Sequence, residues 1–431
     1  MRFRLAAFLL SISLVASGDE DAFSNWAAAH AVPLTTVEPG DDFRDLLPLK
    51  SAIGNATIVA LGEPMHGAHE PLAFRNRLFR FLVEHMNFTA VALESGFTES
   101  ARVVEFIDGR SRDAKSLVST SAVPPYAENA ELLQWIRDYN AAASSAGRQV
   151  IRFYGIDMTA GGRLNGPSLT LDFALAYLSK ADLSASQKIR ESLTQLPGAD
   201  DRGLGPLSRD AQAEFEAAIN ALATAMQKNR KSLIAKSSGE EYRWALRNLE
   251  AARQLAKCLP VTPLSSGSKV AWAVATTCRD LAMADNVQWA LKNEGRNGRL
   301  LVFAHAGHVM NAKDEGRRMA EVPIKPPMMG FHLREVYGDA LYIIALCTAT
   351  TANGLMSAKP LEEGSVESAL SGLGLPRFFL DLRQARQDNA LKTWLTTPRS
   401  FDANVSAQGI IQAGTAVDAF VFVDPLTPAH R

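Results

Sequence analysis

The sequence predicts an α/β protein with a mainly parallel central sheet flanked by helices, and with a helical insertion that covers the carboxyl ends of the strands. Short apolar runs bounded by turn residues alternate with longer segments of helical spacing, which is typical of an α/β sheet core. Most of these runs are apolar at nearly every position, as in strands buried on both faces of a parallel sheet. The stretch 168–295 is helical by pattern and contains no convincing strand. We interpret it as the insertion.

The predicted elements follow from these patterns in chain order. The apolar runs predict strands over Thr57–Leu61, Ala90–Leu93, Val150–Tyr154, Leu300–Phe303, Ala340–Leu346 and Ala419–Val423. Helical spacing predicts helices over Pro71–His85, Ala130–Ala143, Ala211–Lys228, Glu240–Leu259 and Val270–Asn293. The first of these helices has a proline in its first turn, where the missing N–H costs nothing.

The N-terminal residues are typical of a secretory signal peptide. Arg2 and Arg4 give a positive charge, Leu5–Val15 is apolar, and Ala16–Gly18 offers small residues for cleavage. The apolar run is shorter than the roughly 20 residues of a transmembrane helix. We expect residues 1–18 to be a signal peptide, residues 19–431 to form the mature α/β domain, and the protein to be secreted or periplasmic. An uncleaved N-terminal anchor is the alternative.

Composition excludes several classes of partner. Hydrophobic residues make up 47% of the chain, enough for a sizeable core, and the net charge is −1. The sequence has no basic block, which argues against nucleic acid and against binding to a membrane once the signal is removed. Three widely spaced cysteines form no CxxC pair, so a zinc site built on thiolates is not expected. Cys258 and Cys278 either form a disulfide or remain buried thiols.

Acidic residues and histidines stand at the ends of four predicted strands. These residues are Glu63 and His66, then Glu94, then Asp157, and then His305 and His308. In open parallel sheets the ligand crevice lies outside the carboxyl ends of the strands. We therefore expect these side chains to converge in one pocket, although a single histidine after a strand is more often a structural residue.

Chemistry by an activated water is the reaction that these residues favour. The sequence has no GxSxG elbow, no P-loop and no GxGxxG motif after a strand. A neutral histidine held by a glutamate can take a proton from water, and an arginine or a second histidine can stabilise the resulting oxyanion. Arg75 shares a helical face with Leu78 and Leu82, so it should be buried beside a carboxylate such as Glu63 or Glu94.

The sequence also resembles the erythromycin esterase family, in segments that occur in the family's order and cover nearly the whole mature chain. The matching segments are Gly62–Gly67, Arg75–Leu82, Ala92–Glu94, Tyr154–Asp157, Arg279–Asn286, Ala304-His305 with His308-Val309, Met329–Arg334 and Ala419–Asp424. Two departures stand out. Pro64-Met65 replaces the usual Ala-Thr, and Ala306 replaces the usual Asn, which removes a potential substrate contact.

The resemblance implies hydrolysis of a macrolide-type lactone or another ester, without a metal, a cofactor or a covalent intermediate. It implies that His66 is the general base, that Glu63 orients it, and that the insertion forms one wall of the cleft. From the residues and the resemblance together, we predict catalytic roles for His66, Glu63, Arg75, Glu94 and His305, and substrate binding by His308 and Asp157.

Two other functions are compatible with the same residues. In the first, Glu63, His66, His305 and His308 bind a divalent transition metal in a metal-dependent hydrolase. In the second, the cluster belongs to a non-catalytic protein that binds a small molecule or a glycan. Elemental analysis distinguishes the first alternative from hydrolysis without a metal, and a hydrolysis screen distinguishes the second.

Overall fold

The structure is a computed structural model of the chain. It describes residues 18–111, 123–158, 166–196, 207–258, 269–313, 325–355, 360–401 and 409–431. Residues 1–17 of the expected signal peptide lie outside these ranges.

Ten strands are present in the described residues, eight of them in one central sheet. The strands are β1 (Val32–Pro33), β2 (Ile58–Glu63), β3 (Ala90–Gly96), β4 (Arg152–Asp157), β5 (Leu300–His305), β6 (Leu341–Cys347), β7 (Arg377–Asp381), β8 (Arg399–Phe401), β9 (Gly409–Ile411) and β10 (Ala419–Val423). The sheet order is β1-β7-β10-β6-β2-β5-β3-β4, and β8 pairs with β9 separately. β10, β6, β2 and β5 pair in parallel, whereas β7 is antiparallel to both of its neighbours.

The mainly parallel α/β sheet that the sequence predicts is therefore confirmed, and all six predicted strands are present. Five of them extend one to three residues further at the carboxyl end than the apolar pattern indicated, so Glu63, Asp157 and His305 are the last residues of their strands. The short strands β1 and β7 were not predicted. That the insertion covers the strand ends stays a prediction.

The described chain begins with a helical segment over residues 18–30. Fifteen further α-helices follow it. They are α1 (Leu47–Ile53), α2 (His69–Met86), α3 (Ser100–Ile107), α4 (Ala127–Ser145), α5 (Gly166–Ser179), α6 (Leu183–Glu191), α7 (Arg209–Lys228), α8 (Arg230–Lys236), α9 (Gly239–Cys258), α10 (Lys269–Glu294), α11 (Ala306–Val309), α12 (Met329–Tyr337), α13 (Val366–Ser371), α14 (Lys392–Thr396) and α15 (Ala413–Ala416). No helix of the described ranges combines the length and the apolar character needed to cross a membrane.

Tertiary contacts divide the chain into two compact units. Unit 1 comprises Met1–Val91, Tyr126–Leu132 and Leu291–Arg431, and unit 2 comprises Ala92–Pro125 and Leu133–Ala290. In unit 1, strands β2, β6 and β10 are buried at every position, which explains their continuous apolar sequence. In unit 2, the helices bury an apolar cluster of their own.

A disulfide in unit 2 resolves the alternative that the sequence left open for the cysteines. Cys258, the last residue of α9, is bonded to Cys278 in α10, and Cys347 is a buried free thiol in β6. The disulfide closes a loop of about 20 residues between two packed helices. Burial raises the pKa of the Cys347 thiol well above its ordinary value, so this residue remains an inert part of the core.

Candidate active site

The central pair of unit 1 is Glu63 and His66. Glu63 is 5% exposed, and its Oε1 lies 2.6 Å from Nδ1 of His66. Because a carboxylate only accepts hydrogen bonds, the hydrogen of the neutral imidazole is on Nδ1 and its lone pair is on Nε2. The His66 side chain is 63% exposed, so the pair presents an oriented base at an accessible surface.

The loop that carries His66 is held by the C-terminal segment 427–430. The backbone N–H of Ala429 donates to the carbonyl of Gly67 (2.9 Å), and the N–H of His69 donates to the carbonyl of Thr427 (2.8 Å). Gly67 has φ +79°, and a Cβ on it would lie 2.9 Å from Oη of Tyr126. Only glycine fits there without strain, so the loop sequence and the segment together fix the path of the chain around His66.

His305 can donate a hydrogen bond through Nε2, whereas His66 can accept one through Nε2. His305 is the N-cap of α11, and its Nδ1 accepts a hydrogen bond from the backbone N–H of Gly307 at 3.2 Å. The hydrogen of the neutral ring is therefore on Nε2, which makes His305 a donor through that nitrogen. The ring centroids of His66 and His305 lie 5.4 Å apart, and those of His305 and His308 lie 6.3 Å apart.

Helix α11 is positioned by a close approach to β2. A Cβ on Gly62 would lie 2.7 Å from Cα of Ala306 and 2.5 Å from Cγ2 of Val309. Real Cβ atoms essentially never come that close to another heavy atom, so the contact requires glycine. The missing side chain at Gly62 thus sets the position of the helix that carries His308.

Arg75 is buried in α2 and makes different contacts from those expected. It is 1% exposed, and its Nε and Nη2 donate to Oδ1 of Asn76 at 3.0 and 2.8 Å. Its guanidinium also lies 4.9 Å from the ring centroid of Phe303. Burial lowers the pKa of Arg75 to about 10, while the negative charge of Glu63 acts in the opposite direction. Arg75 is therefore a buried cation at neutral pH, with an amide rather than Glu63 or Glu94 as its hydrogen-bond partner.

In unit 2, Glu94 and Asp157 share one cation, Arg279. The guanidinium donates to both oxygens of Asp157, at 3.0 and 2.7 Å, and to Oε1 of Glu94 at 2.6 Å. Burial opposes the charged form, but the two carboxylates outweigh it and raise the pKa of Arg279 well above its ordinary value. The carboxylates are thus held as one ion-paired group.

The predicted site residues are divided between the two units. Glu63, His66, His305 and His308 lie in unit 1, and Arg75 is buried beside Asn76 in the same unit. Glu94 and Asp157 lie in unit 2. Their catalytic and substrate-binding roles stay predictions. Arg279 was not among the predicted site residues; it stands 122 and 185 positions from its two partners, a pairing that no sequence spacing reveals.

A second group of histidines and carboxylates lies at the start of α2. His69 contacts Glu128 and Glu38, and His430 contacts the same Glu128. In the described residues, His69, Glu128 and His430 form the group whose ligand atoms are close enough to hold a metal ion. No local sequence pattern indicates this group, because Glu128 is 59 positions from His69 and 302 positions from His430.

Fold and site together define an α/β protein that carries paired histidine and carboxylate side chains at the carboxyl ends of parallel strands. The sequence profile of the family named Erythromycin esterase matches residues 83–425. This chain belongs to the erythromycin esterase family, and the protein is a hydrolase. The predicted family and fold class are thereby confirmed.

Individual relatives are distant but cover most of the chain. Erythromycin esterase type II of Escherichia coli is 24% identical over 393 residues, which span 85% of this chain and 90% of the relative. The putative hydrolase YbfO of Bacillus subtilis (strain 168) is 22% identical over 444 residues, spanning 99% of this chain and 96% of the relative. A solved erythromycin esterase mutant, EreC in its open conformation, superposes with a TM-score of 0.67 at 18% identity, over 92% of this chain and 98% of that one.

Proposed function

We propose that this protein hydrolyses an ester or lactone with a water molecule that His66 activates. The observation that carries the proposal is the 2.6 Å contact between Glu63 Oε1 and His66 Nδ1, which places the lone pair on Nε2 of an exposed ring. In the proposed reaction, Nε2 takes a proton from water as the water oxygen attacks the carbonyl carbon. The tetrahedral intermediate then expels the alcohol oxygen, which takes that proton back from His66.

His305 is the proposed donor to the oxyanion of this intermediate. Its Nδ1 is occupied by the N–H of Gly307, so the proposed donor to the developing negative charge is Nε2–H, a buried group in this structure. The rings of His66 and His305 lie 5.4 Å apart between centroids, which leaves a proton acceptor and a proton donor on neighbouring side chains. An attacking water and a carbonyl oxygen require this combination of groups.

Arg75 acts in this proposal as a positioning residue. At 1% exposure its guanidinium does not reach a substrate, but its positive charge interacts with the negative charge of Glu63. An ionised Glu63 in turn stabilises the imidazolium that forms on His66 during the reaction.

A macrolide-type lactone is the proposed substrate class, supported by the name of the E. coli relative and by the family. The replacements Pro64-Met65 and Ala306 are the positions at which this chain is expected to differ from other members in substrate preference. Export to the periplasm or the medium is proposed as well. It is supported by the disulfide Cys258–Cys278, because disulfides persist in oxidising compartments.

A hydrolysis screen in ¹⁸O-labelled water tests the function. The purified protein is incubated with erythromycin, other lactones and simple aryl and alkyl esters, and products are identified by mass spectrometry. The expected result is a ring-opened or cleaved acid that contains one ¹⁸O atom, with the rate lost in His66→Asn. His85→Asn is the matched control, because His85 is an exposed histidine at the end of α2.

Absence of turnover on every substrate, or equal rates for the wild type and His66→Asn, overturns the proposal. Hydrolysis that chelators abolish, together with metal loss from the His66→Asn variant, supports the metal-dependent alternative instead. Saturable binding of erythromycin or another lactone without turnover supports the binding-protein alternative.

A further inference from the structure

We propose that His69, Glu128 and His430 form a binding site for a divalent transition metal of the Zn²⁺ class, distinct from the Glu63–His66 pair. We call these three residues the tail cluster, since His430 belongs to the C-terminal segment 427–430. Two imidazoles and one carboxylate are a donor set that Zn²⁺ takes in proteins, usually with water at a fourth position.

The ligand atoms of the tail cluster are already close together. Oε1 of Glu128 lies 2.6 Å from Nδ1 of His69 and 3.0 Å from Nδ1 of His430, and the ligand atoms of all three residues lie within 4.8 Å of one another. An ion about 2.1 Å from each of its tetrahedral ligands holds them about 3.4 Å apart. Shifts of less than about 1 Å in side chains that are already neighbours therefore admit the ion.

Glu128 provides an independent indication of a ligand. The residue is 3% exposed, and its Oε1 receives the contacts from His69 and His430, including the backbone N–H of His430 at 3.1 Å. Its Oε2 is buried and has no hydrogen-bond partner among the described residues. A buried carboxylate oxygen without a partner is costly, and coordination of a cation through both oxygens of Glu128 would remove that cost.

Glu38 is not a proposed metal ligand, but it contacts the second ring nitrogen of the proposed ligand His69. Its Oε1 lies 2.8 Å from Nε2 of His69, the ring nitrogen that faces away from Glu128. Histidines that bind metals usually donate their second N–H to a carboxylate, which fixes the ring orientation and strengthens the ligand. Glu38 and His69 have this arrangement, and Nδ1 of His69 is left facing the other members of the cluster.

A bound ion would connect three parts of unit 1 that are remote in sequence. His69 begins α2 directly after the His66 loop, Glu128 lies in the first turn of α4, and His430 lies in the C-terminal segment. The same segment already bonds to the loop through Ala429 and Gly67. The ion would thus fasten the segment to the loop more firmly, which raises the stability of the folded state by binding only that state.

Metal titration of the full-length protein tests the site without reference to hydrolysis. Chelator-treated protein is titrated with Zn²⁺ by calorimetry and with Co²⁺ by visible absorption, and metal content is measured after gel filtration. We expect one equivalent bound, tetrahedral Co²⁺ bands and a higher melting temperature. Loss of a proposed ligand in His430→Gln or His69→Asn should weaken Zn²⁺ binding by about tenfold or more. Glu38→Gln, which removes the charge of the carboxylate that contacts His69, should also weaken it by about tenfold or more.

His66→Asn is the matched control and should bind Zn²⁺ with unchanged affinity. His430 is 67% exposed, so the His430→Gln variant is expected to fold, and its circular dichroism confirms that it does. The proposal fails if Zn²⁺ does not bind saturably at micromolar concentration, or if His430→Gln and His69→Asn bind it like the wild type. Binding that is lost in His66→Asn also overturns it, by placing the ion at the other histidines. Neither the expected result nor any contrary one depends on whether the protein hydrolyses esters.

Discussion

Glu63 and His305 are register partners at the last paired position of two adjacent parallel strands, β2 and β5. The side chains of neighbouring strands at the same register point to the same face of a sheet, and a slip of one residue would turn one of them to the other face. The pairing of β2 with β5 therefore brings the carboxylate that orients His66 to the same side of the sheet as His305.

Replacing His66 by asparagine should reduce the rate of catalysis. The substitution removes the lone pair on Nε2 while keeping a polar side chain of similar size, so kcat should fall by about a hundredfold or more with little change in KM. Steady-state kinetics on any substrate found in the screen provides the measurement. A kcat within a factor of two of the wild type would exclude His66 as the general base.

Replacing Glu63 by glutamine should have a milder effect of a different kind. Glutamine can still accept the hydrogen bond from Nδ1 of His66, but it lacks the negative charge that stabilises the protonated ring. We expect kcat to fall by about tenfold. Glu131→Gln, at an exposed carboxylate that pairs with Arg80, is the control and should leave kcat unchanged. A kcat for Glu63→Gln equal to that of the wild type would show that the charge of Glu63 does not contribute to catalysis.

Adding a methyl group at Gly62 should disturb α11. The new Cβ would collide with Ala306 and Val309, so the helix must shift, at a cost of about 1–3 kcal/mol in stability for an overpacked core. The shift also moves His308, so kcat should fall together with the melting temperature. Gly40→Ala is the control, since nothing lies within 4 Å of a Cβ at that position. Equal melting temperatures for Gly62→Ala and Gly40→Ala would show that the close approach is not tight.

The buried ion pair between Arg77 and Asp45 should contribute to stability above acid pH. Burial alone would raise the pKa of Asp45, but hydrogen bonds from Arg77 and Thr35 outweigh it and hold this pKa below its ordinary value of 3.8. Asp45→Asn leaves Arg77, which is 1% exposed, without its counter-charge and should cost about 3 kcal/mol near pH 7.

Because the pKa of Asp45 is lower in the folded state, its contribution is complete well above pH 3.8 and disappears as the pH falls through that value towards the folded pKa. Urea denaturation of the wild type and Asp45→Asn across the acid range measures the difference. A difference in unfolding free energy that persists unchanged at pH 2 would contradict this explanation.

Removing the disulfide should destabilise unit 2. The bond closes a loop of about 20 residues, and the loss of that constraint on the unfolded chain should cost about 3 kcal/mol in the double variant Cys258→Ala/Cys278→Ala. A reducing agent should lower the melting temperature of the wild type but leave that of the double variant unchanged. A wild type that is insensitive to reduction would indicate that the pair contributes little to stability.

The sequence predicted the sheet well because its inner strands are buried on both faces. Runs such as Leu300–Phe303 are apolar at every position, which is the pattern that strands buried on both faces give. Strand β1 escapes sequence-based prediction because two residues carry no pattern, and β7 because its apolar run is only three residues long, Phe378–Leu380. The apolar runs that predict β2 and β5 end at Leu61 and Phe303, although the ladder continues through Glu63 and His305.

Local parts of the candidate site were predictable, and remote parts were not. The Glu63–His66 contact joins residues three positions apart directly after a strand, so sequence spacing revealed it. The contact between His69 and Glu128 joins residues 59 positions apart, and Glu128 meets the backbone of His430 across 302 positions. Such pairings depend on how the helices and the C-terminal segment pack, and no local pattern encodes them.

The close approach of Gly62 to α11 also bears on how relatives of this protein should be compared. A Cβ at position 62 would lie 2.7 Å from the backbone Cα of Ala306, so no smaller neighbouring side chain could make room for it. Relatives that keep this strand register are therefore expected to keep a glycine there, whatever substrate they act on. In an alignment of such relatives, position 62 would be as constant as position 63 beside it. The reason at position 62 would be that no side chain fits there. Ranking positions by conservation alone would then count Gly62 as part of the chemistry, to which it contributes no functional group.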